Sequence, residues 1–393
     1  MKKLIGWIII IIISIGSILI VDKKSDIYNI GQGYEDVEFK IKFKGLKEAT
    51  DFTMSNGKIY ISFPKKIRCY ENGKEPYDIL EDSNLNIKTI EQSGENIYFI
   101  TDNRLMSVNI NSGKIKECIN NIPNKGDYDE VLLKAYKDYL FITIGSMTNS
   151  GIVGGDNVWA NENSSGCDIS PFTIKLRENK VGAFVPKGNS NTSNQVIKGQ
   201  EIGNSSIILF NVNTFEYETY AWGIRNIEGI DVTDDGRVFV TVGGYEDRGE
   251  RPIENDSDYI YEIKKGYWYG FPDYSGGDPL SSPRFNSQVN DIKPLMAEYP
   301  MNPPAPYYQY KDVDSLKWIV IDEVGNISKN NQKTIFLYNK ENNNIYQSLI
   351  GGVFEPFIEL NSNCTASSMK IEEDKLYILD SNNGFLFTVE NES

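Results

Sequence analysis

The chain of 393 residues contains no histidine. That absence excludes Ser-His-Asp and Cys-His nucleophile systems. It also excludes His-ligated zinc, the Glu-x-x-His di-iron motif and any imidazole base. Acid–base work would fall to carboxylates, lysine, tyrosine or a cofactor. Cysteine is scarce: Cys69, Cys118, Cys167 and Cys364 lie far apart with no Cys-x-x-Cys pair, which argues against zinc and iron–sulfur sites. Isolated buried thiols are expected, while an exported protein with four cysteines would have three disulfide pairings open to it. Positive charge is in deficit, 40 basic against 55 acidic residues for a net charge of −15. Nucleic acid is therefore not an expected partner, because neutralising phosphates needs basic surface. Sustained helical periodicity is missing from the whole body of the chain.

The one long apolar run is Leu4–Val21, preceded by Met1-Lys2-Lys3. At about 1.5 Å per residue a helix there would be roughly 27 Å long, enough to cross a hydrocarbon core. A positive start before an apolar run is equally the pattern of a signal peptide. The only small-x-small candidate, Ser14-Ile15-Gly16, lies inside the run, so residues 1–24 are read as an uncleaved transmembrane anchor. The expected placement is single-pass in the cell membrane with the bulk of the chain extracytoplasmic. Residues 25–36 are read as a linker and 37–393 as one folded body.

What fills the body is short β-rich runs. Gly57–Phe63, Glu95–Thr101, Asp138–Ile144, Gly236–Val242, Lys333–Tyr338 and Asp374–Asp380 share one plan. In each, a polar or turn residue leads into β-branched and aromatic residues, the mark of a buried strand. Several continue across a hairpin into a second strand, and Asn56-Gly57, Asp235-Gly236 and Asn383-Gly384 supply turn chemistry. The central aromatics Tyr60, Tyr98, Phe141, Phe239, Phe336 and Tyr377 mostly step by about forty residues, the period of a propeller blade. The two longer steps hold the glycine- and proline-rich loops. The pattern predicts an all-β, six-bladed β-propeller, with Val37–Phe43 completing the last blade and closing the ring.

Tyr267–Gly277, rich in aromatics and glycine with a proline among them, cannot be a regular helix or a central strand. With Arg248–Pro252 and Trp222–Asn226 it is read as one concave site. Trp268, Tyr269 and Tyr274 offer flat faces, and Asp273 and Asn226 hydrogen bonds, which together suit a sugar. Core packing is the rival reading for Phe271 and for one of Trp268 and Tyr269, since neighbours on an extended chain point to opposite sides. Asn149-Ser150-Gly151 reads as a mobile loop tip.

Ala221-Trp-Gly-Ile-Arg-Asn226, followed by Gly229 and the Asp235-Gly236 hairpin, resembles the Gly-Leu-Arg-Asn-Pro signature of the soluble glucose/sorbosone dehydrogenase family. Tyr269-Gly-Phe-Pro-Asp273 is similar to that family's Tyr-Gly-Trp-Pro segment, and Thr143–Val153 and Arg248–Pro252 resemble two of its loops. The resemblance spans roughly Thr50 to Asp380 and implies a quinoprotein-like propeller. In such enzymes pyrroloquinoline quinone (PQQ) sits over the axis with calcium, arginine and lysine bind its carboxylates, and a histidine takes the substrate proton. Arg225 and Asn226 match the cofactor-facing position of the motif. The histidine has no counterpart, and Ile227 stands in place of the proline.

Two readings of the basic residues remain open. Arg225, Arg248, Arg251 and Arg284 form a cluster for cofactor carboxylates, or each pairs with a loop acid such as Glu246, Asp247 or Glu250. Calcium would need oxygen ligands, for which Asp247 and Asp273 are the candidates. Asp156, in Gly154-Gly-Asp-Asn157, is the candidate carboxylate base. The expected function is binding of a carbohydrate or cell-envelope ligand. The alternative is a PQQ- and calcium-dependent sugar or alcohol dehydrogenase with a non-histidine base.

Overall fold

Six antiparallel sheets, each with its first strand against a common axis, form the ring, with two small two-stranded sheets in the insertions, in a computed structural model that describes residues 30–34, 37–160, 165–285, 292–329 and 332–391. The proposed anchor and the start of the linker lie outside the described residues. No helix among the described residues is long and apolar enough to cross a membrane.

Blade 1 runs from Asp51–Ser55 to Tyr77–Glu81 and blade 2 from Ile87–Ser93 to Ile115–Ile119, each as a simple four-stranded meander. Blade 3 (Leu133–Tyr136, Tyr139–Ile144, Ser206–Asn211, Tyr217–Trp222) carries a long insertion between its second and third strands. Blade 4 (Ile227–Val232, Val238–Val242, Tyr259–Ile263, Tyr308–Gln309) carries one on either side of its third. Blade 5 spans Leu316–Asp322 to Glu355–Leu360. The predicted aromatics Tyr60, Tyr98, Phe141, Phe239, Phe336 and Tyr377 all fall on the second strand of a blade. That strand is covered on both faces by neighbouring blades, which is why it reads as a near-continuous apolar run.

Blade 6 is Ser368–Glu372, Lys375–Asp380 and Phe385–Asn391, and its fourth strand is Val37–Lys44 from the other end of the chain. The ring closes as expected. Val37, Phe39, Ile41 and Phe43 are half-buried while Glu38, Lys40, Lys42 and Lys44 are exposed, the alternation of a strand with one wet face. The expected tether is shorter than the sequence reading had it. Gly31–Gly33 pairs with Ile358–Leu360 as a fifth strand of blade 5, and a Cβ on Gly31 would meet the Glu359 carbonyl oxygen at 2.3 Å.

Among the described residues, apolar clusters fill the seams between successive blades all the way round, as with Tyr60, Ile87 and Phe99 between blades 1 and 2. Phe52, Ile61, Leu379 and Leu386 fill the closing seam between blades 6 and 1. Around the axis, acids on the innermost strands add polar ties. Asp51 accepts from Thr89 Oγ1 (2.7 Å) and Ile90 N (3.0 Å) of blade 2 and from Ser368 Oγ (2.7 Å) of blade 6. Asp231 of blade 4 accepts from Ile321 N of blade 5 (2.7 Å) and pairs with Lys134 of blade 3 (2.6 Å). Glu91 pairs with Lys370 across the axis (2.6 Å). Burial pushes its carboxyl up, but the Lys370 and Lys134 charges outweigh that and hold it below its ordinary range. The four cysteines form no disulfide; Cys69 and Cys364 are buried and Cys118 and Cys167 partly so.

Candidate functional site

The three segments expected to form a concave site do come together, but as a packed core. Trp222 N donates to the Tyr267 carbonyl (3.1 Å), Tyr269 N to that of Trp222 (2.8 Å) and Phe271 N to that of Gly223 (2.8 Å). Gly223 has a positive φ of 72° and its Cβ would stand 2.2 Å from the Trp268 indole, so only glycine admits this approach. Trp268 stacks on Tyr299 (5.6 Å between centroids, 18°), and Tyr274 meets both rings edge-on. Trp268 is 0% and Tyr269 4% exposed. The two side chains do point to opposite sides, as expected of an extended segment. Each side has its own core, however: Trp268 packs under the insertions of blades 3 and 4, Tyr269 in the seam between those blades. The expectation of an aromatic face open to sugar at Trp268 and Tyr269 is thereby corrected, and Tyr274 is half-buried by its ring contacts. The space left where Tyr269 and Tyr274 meet Tyr245, Tyr259, Tyr261 and Phe271 is about 20 Å³, about what one water needs.

Asp273 is spent as well. Its carboxylate pairs with Arg251 (2.8 Å) and accepts from Leu295 N (2.8 Å) and Met296 N (2.7 Å), tying the cap of inserted loops together. Asp247 is exposed on its loop. Among the described residues no group of three or more acidic or thiol side chains is placed to hold a metal, and of the proposed calcium pair Asp273 already has its carboxylate taken by Arg251, Leu295 N and Met296 N.

The arginines resolve in favour of pairing. Arg225 is 4% exposed and uses every nitrogen on the protein. Its Nε donates to the Asn149 carbonyl (2.9 Å), Nη1 to that of Gly243 (3.0 Å), and Nη2 to Asn149 Oδ1 (2.8 Å), Glu246 Oε1 (2.9 Å) and the Tyr128 hydroxyl. Tyr128 also lies under the guanidinium, 4.2 Å from ring centroid to Cζ, and donates its hydroxyl to Glu246. Arg248 donates to Glu246 (2.6 Å), Asp156 (2.6 Å) and Tyr128 (2.9 Å) and pairs with Asp127 (2.8 Å). Arg251 reaches the Pro272 carbonyl (2.6 Å) besides Asp273, and Arg284 pairs with Asp278 (3.1 Å). Asn226 donates to Glu228 (2.6 Å).

Asn149, expected at a mobile tip, is 2% exposed and is the hub of this cluster. Its side chain accepts from Glu246 N (3.0 Å) and Arg225 and donates to the Glu246 carbonyl (2.7 Å). Burial pushes the Glu246 carboxyl up, yet the Arg248 hydrogen bond and the Arg225 charge outweigh it and hold the pKa down to about 2. Asp156 is held by Arg248, with its other oxygen buried against Gly154 and Gly249. With one oxygen in an ion pair and the other buried, Asp156 has no free oxygen to offer a substrate. Its candidacy is corrected on that ground.

An open site exists elsewhere on the same end of the ring. A cavity of about 620 Å³ lies over the axis, lined by the residues leading into the first strands of blades 1, 2, 3 and 6 and by the turn after the second strand of blade 2. Asn86, Asp102, Asn103, Asp129, Glu130 and Trp318 form much of its wall, with Lys88 and Lys125. Below it a smaller space continues along the axis to Lys134 and Lys370. The arginine cluster borders this cavity through one segment, since Asp127 and Tyr128 belong to the cluster while Asp129 and Glu130 belong to the wall. Sequence reading missed these residues. The available signal was position: Asn86, Asp129 and Glu130 lead into a blade's first strand, as Arg225 and Asn226 do for Ile227–Val232.

PQQ, as a polycarboxylate, needs uncommitted cations. All four arginines named for it are committed to protein groups, and the axial cavity sets Lys88 and Lys125 against Asp51, Asp102, Asp129 and Glu130. Those four arginines therefore do not fit the group.

No known family pattern and no curated protein matches the sequence. Solved structures do match in shape. A Trichoderma reesei carbohydrate-active enzyme of family AA12 is 13% identical, with 93% of this chain and 98% of that chain covered and a TM-score of 0.60. The PQQ domain of Coprinopsis cinerea pyranose dehydrogenase is 12% identical, covering 91% and 96%, at 0.58. The PQQ-bound aldose sugar dehydrogenase of Streptomyces coelicolor is 13% identical, covering 91% and 99%, at 0.54. Identity this low speaks to architecture and not to chemistry: the chain is a six-bladed β-propeller of the shape shared by these quinoprotein sugar dehydrogenases and the AA12 enzyme.

Proposed function

We propose that this propeller binds a carbohydrate in the axial cavity and does not oxidise it. The observation that carries the reading is the cavity itself, about 620 Å³ with hydrogen-bonding groups of both kinds around one indole. That volume is in the range of small-ligand sites. Carboxylates and amides accept from and donate to sugar hydroxyls, and an indole face packs on the C–H side of a pyranose ring. Trp318 is fixed for this, its Nε1 donating to the Ala366 carbonyl (2.8 Å). The three structural neighbours are named for carbohydrates or sugars, which agrees with the reading.

Calorimetric titration of oligosaccharides into the full chain tests it. Saturable binding is expected, weakened about three- to tenfold by Trp318→Phe, since aromatic contacts contribute ~0.5–1.5 kcal/mol. Phenylalanine keeps an aromatic ring but gives up the hydrogen bond to Ala366, so only a small fall in melting temperature, on the order of a few degrees, is expected. Binding untouched by the substitution would move the ligand away from the axis. The outward-facing, membrane-held placement expected from Leu4–Val21 belongs to the same proposal, because it puts envelope saccharides within reach. Protease added to intact cells should then cut the propeller; full protection would place it inside.

A further inference from the structure

Resting on that saccharide reading, we propose that the ligand carries an acidic group, a uronate carboxylate or a sugar phosphate, held by Lys88 and Lys125. Three of the six charged side chains lining the cavity are already committed. Asp51 accepts the hydrogen bonds from blades 2 and 6, Glu130 pairs with Lys317 (2.9 Å), and Asp102 lies 3.7 Å from Arg104. Lys88, Lys125 and Asp129 differ, for among the described residues their side chains make no hydrogen bond or ion pair. They put two free ammonium groups on one concave wall of a chain whose net charge is −15. The long-range field of such a chain repels anions, so an acidic ligand needs cations at the site itself.

The two lysines come from separate places. Lys88 stands where the first strand of blade 2 is bulged between Ile87 and Thr89, which turns its side chain out of the seam. Lys125 lies on the connection from Ile115–Ile119 to Leu133–Tyr136, between blades 2 and 3. Asp129 adds the opposite chemistry, an acceptor for hydroxyl groups. A ligand that satisfies all three must offer hydroxyls and an anion together. An acidic saccharide does; a neutral one leaves two ammonium groups unused.

The test is titration of trigalacturonate, its neutral methyl ester and glucose 6-phosphate into the full chain, wild type, Lys88→Ala and Lys125→Ala. Both lysines are exposed, so the variants should fold. At least one acidic probe is expected to bind about tenfold more tightly than the ester, with each substitution weakening it about fivefold. The preference should shrink as ionic strength rises from about 0.05 to 0.5 M. Trigalacturonate as the tighter probe assigns a carboxylate and the phosphate sugar a phosphate; either supports the proposal. Equal binding of acid and ester, unchanged in both variants, overturns the acidic group and leaves the saccharide reading intact. Failure of every probe to bind overturns both.

Discussion

A chain beginning at Gly45 should not fold cooperatively, while one beginning at Ser25 should. The difference between them includes Val37–Lys44, which fills the fourth position of blade 6 and pairs with Phe385–Asn391 from Val37 opposite Asn391 to Lys44 opposite Phe385. Its loss strips cover from Phe387 and Val389 and leaves an unpaired apolar edge. Four half-buried apolar side chains at about 1–2 kcal/mol each are worth on the order of 5 kcal/mol, comparable to the whole net stability of a typical domain. The effect exceeds the contact energy of one strand, because the strand is also the tie between the two ends of the chain. Without it blades 6 and 1 are held by their seam and by Asp51 with Ser368. Circular dichroism on heating would show a sharp transition for the longer chain and a shallow one, or precipitation, for the shorter. Equal transitions would mean that the ring closes without its N-terminal strand.

Arg225→Ala is expected to cost about 2–4 kcal/mol, because a buried guanidinium with several hydrogen bonds is lost while its partner Glu246 stays partly exposed, with a fall in melting temperature on the order of 5 °C. The substitution strips partners from the Asn149 and Gly243 carbonyls and from Asn149 Oδ1, all under cover. It also removes a charge that holds Glu246 in its ionised form. A carboxyl depressed in the folded state contributes stability that is present above its unfolded pKa, near 4.5, and is lost as pH falls through the folded value of about 2. Wild type should therefore lose this contribution between those values, and the variant should lose it at higher pH. A variant as stable as wild type, with an unchanged acid limb, would show the cluster to be decoration. Because the cluster also sets Tyr128, a weaker saccharide affinity should accompany the loss through Asp129 and Glu130.

The blades were legible in the sequence because each second strand is buried on both faces and so must be apolar throughout, which leaves a repeat that needs no partner to be seen. Ring closure was legible from Val37–Phe43 for a similar reason, as an alternating strand with no hairpin mate nearby. The site was not. Arg225 meets Asn149 and Tyr128, distant in sequence, and nothing local tells a cofactor-binding arginine from one that carries a loop cluster. The aromatic segment misled for a related reason: alternation places Trp268 and Tyr269 on opposite sides, but only the fold reveals that the inserted loops supply a second core. The axial wall is drawn from several blades at once, and each contributes single polar residues with no motif of their own.

Calorimetric titration of PQQ with calcium into the full chain tests most directly whether Arg225, Arg248 and Arg251 serve structure and not a cofactor. No saturable heat is expected, with or without chelator, since their donors are taken by Glu246, Asp127, Asp156 and Asp273. Saturable, calcium-dependent binding that Arg225→Ala abolishes would contradict the account and return the chain to the quinoproteins whose shape it shares.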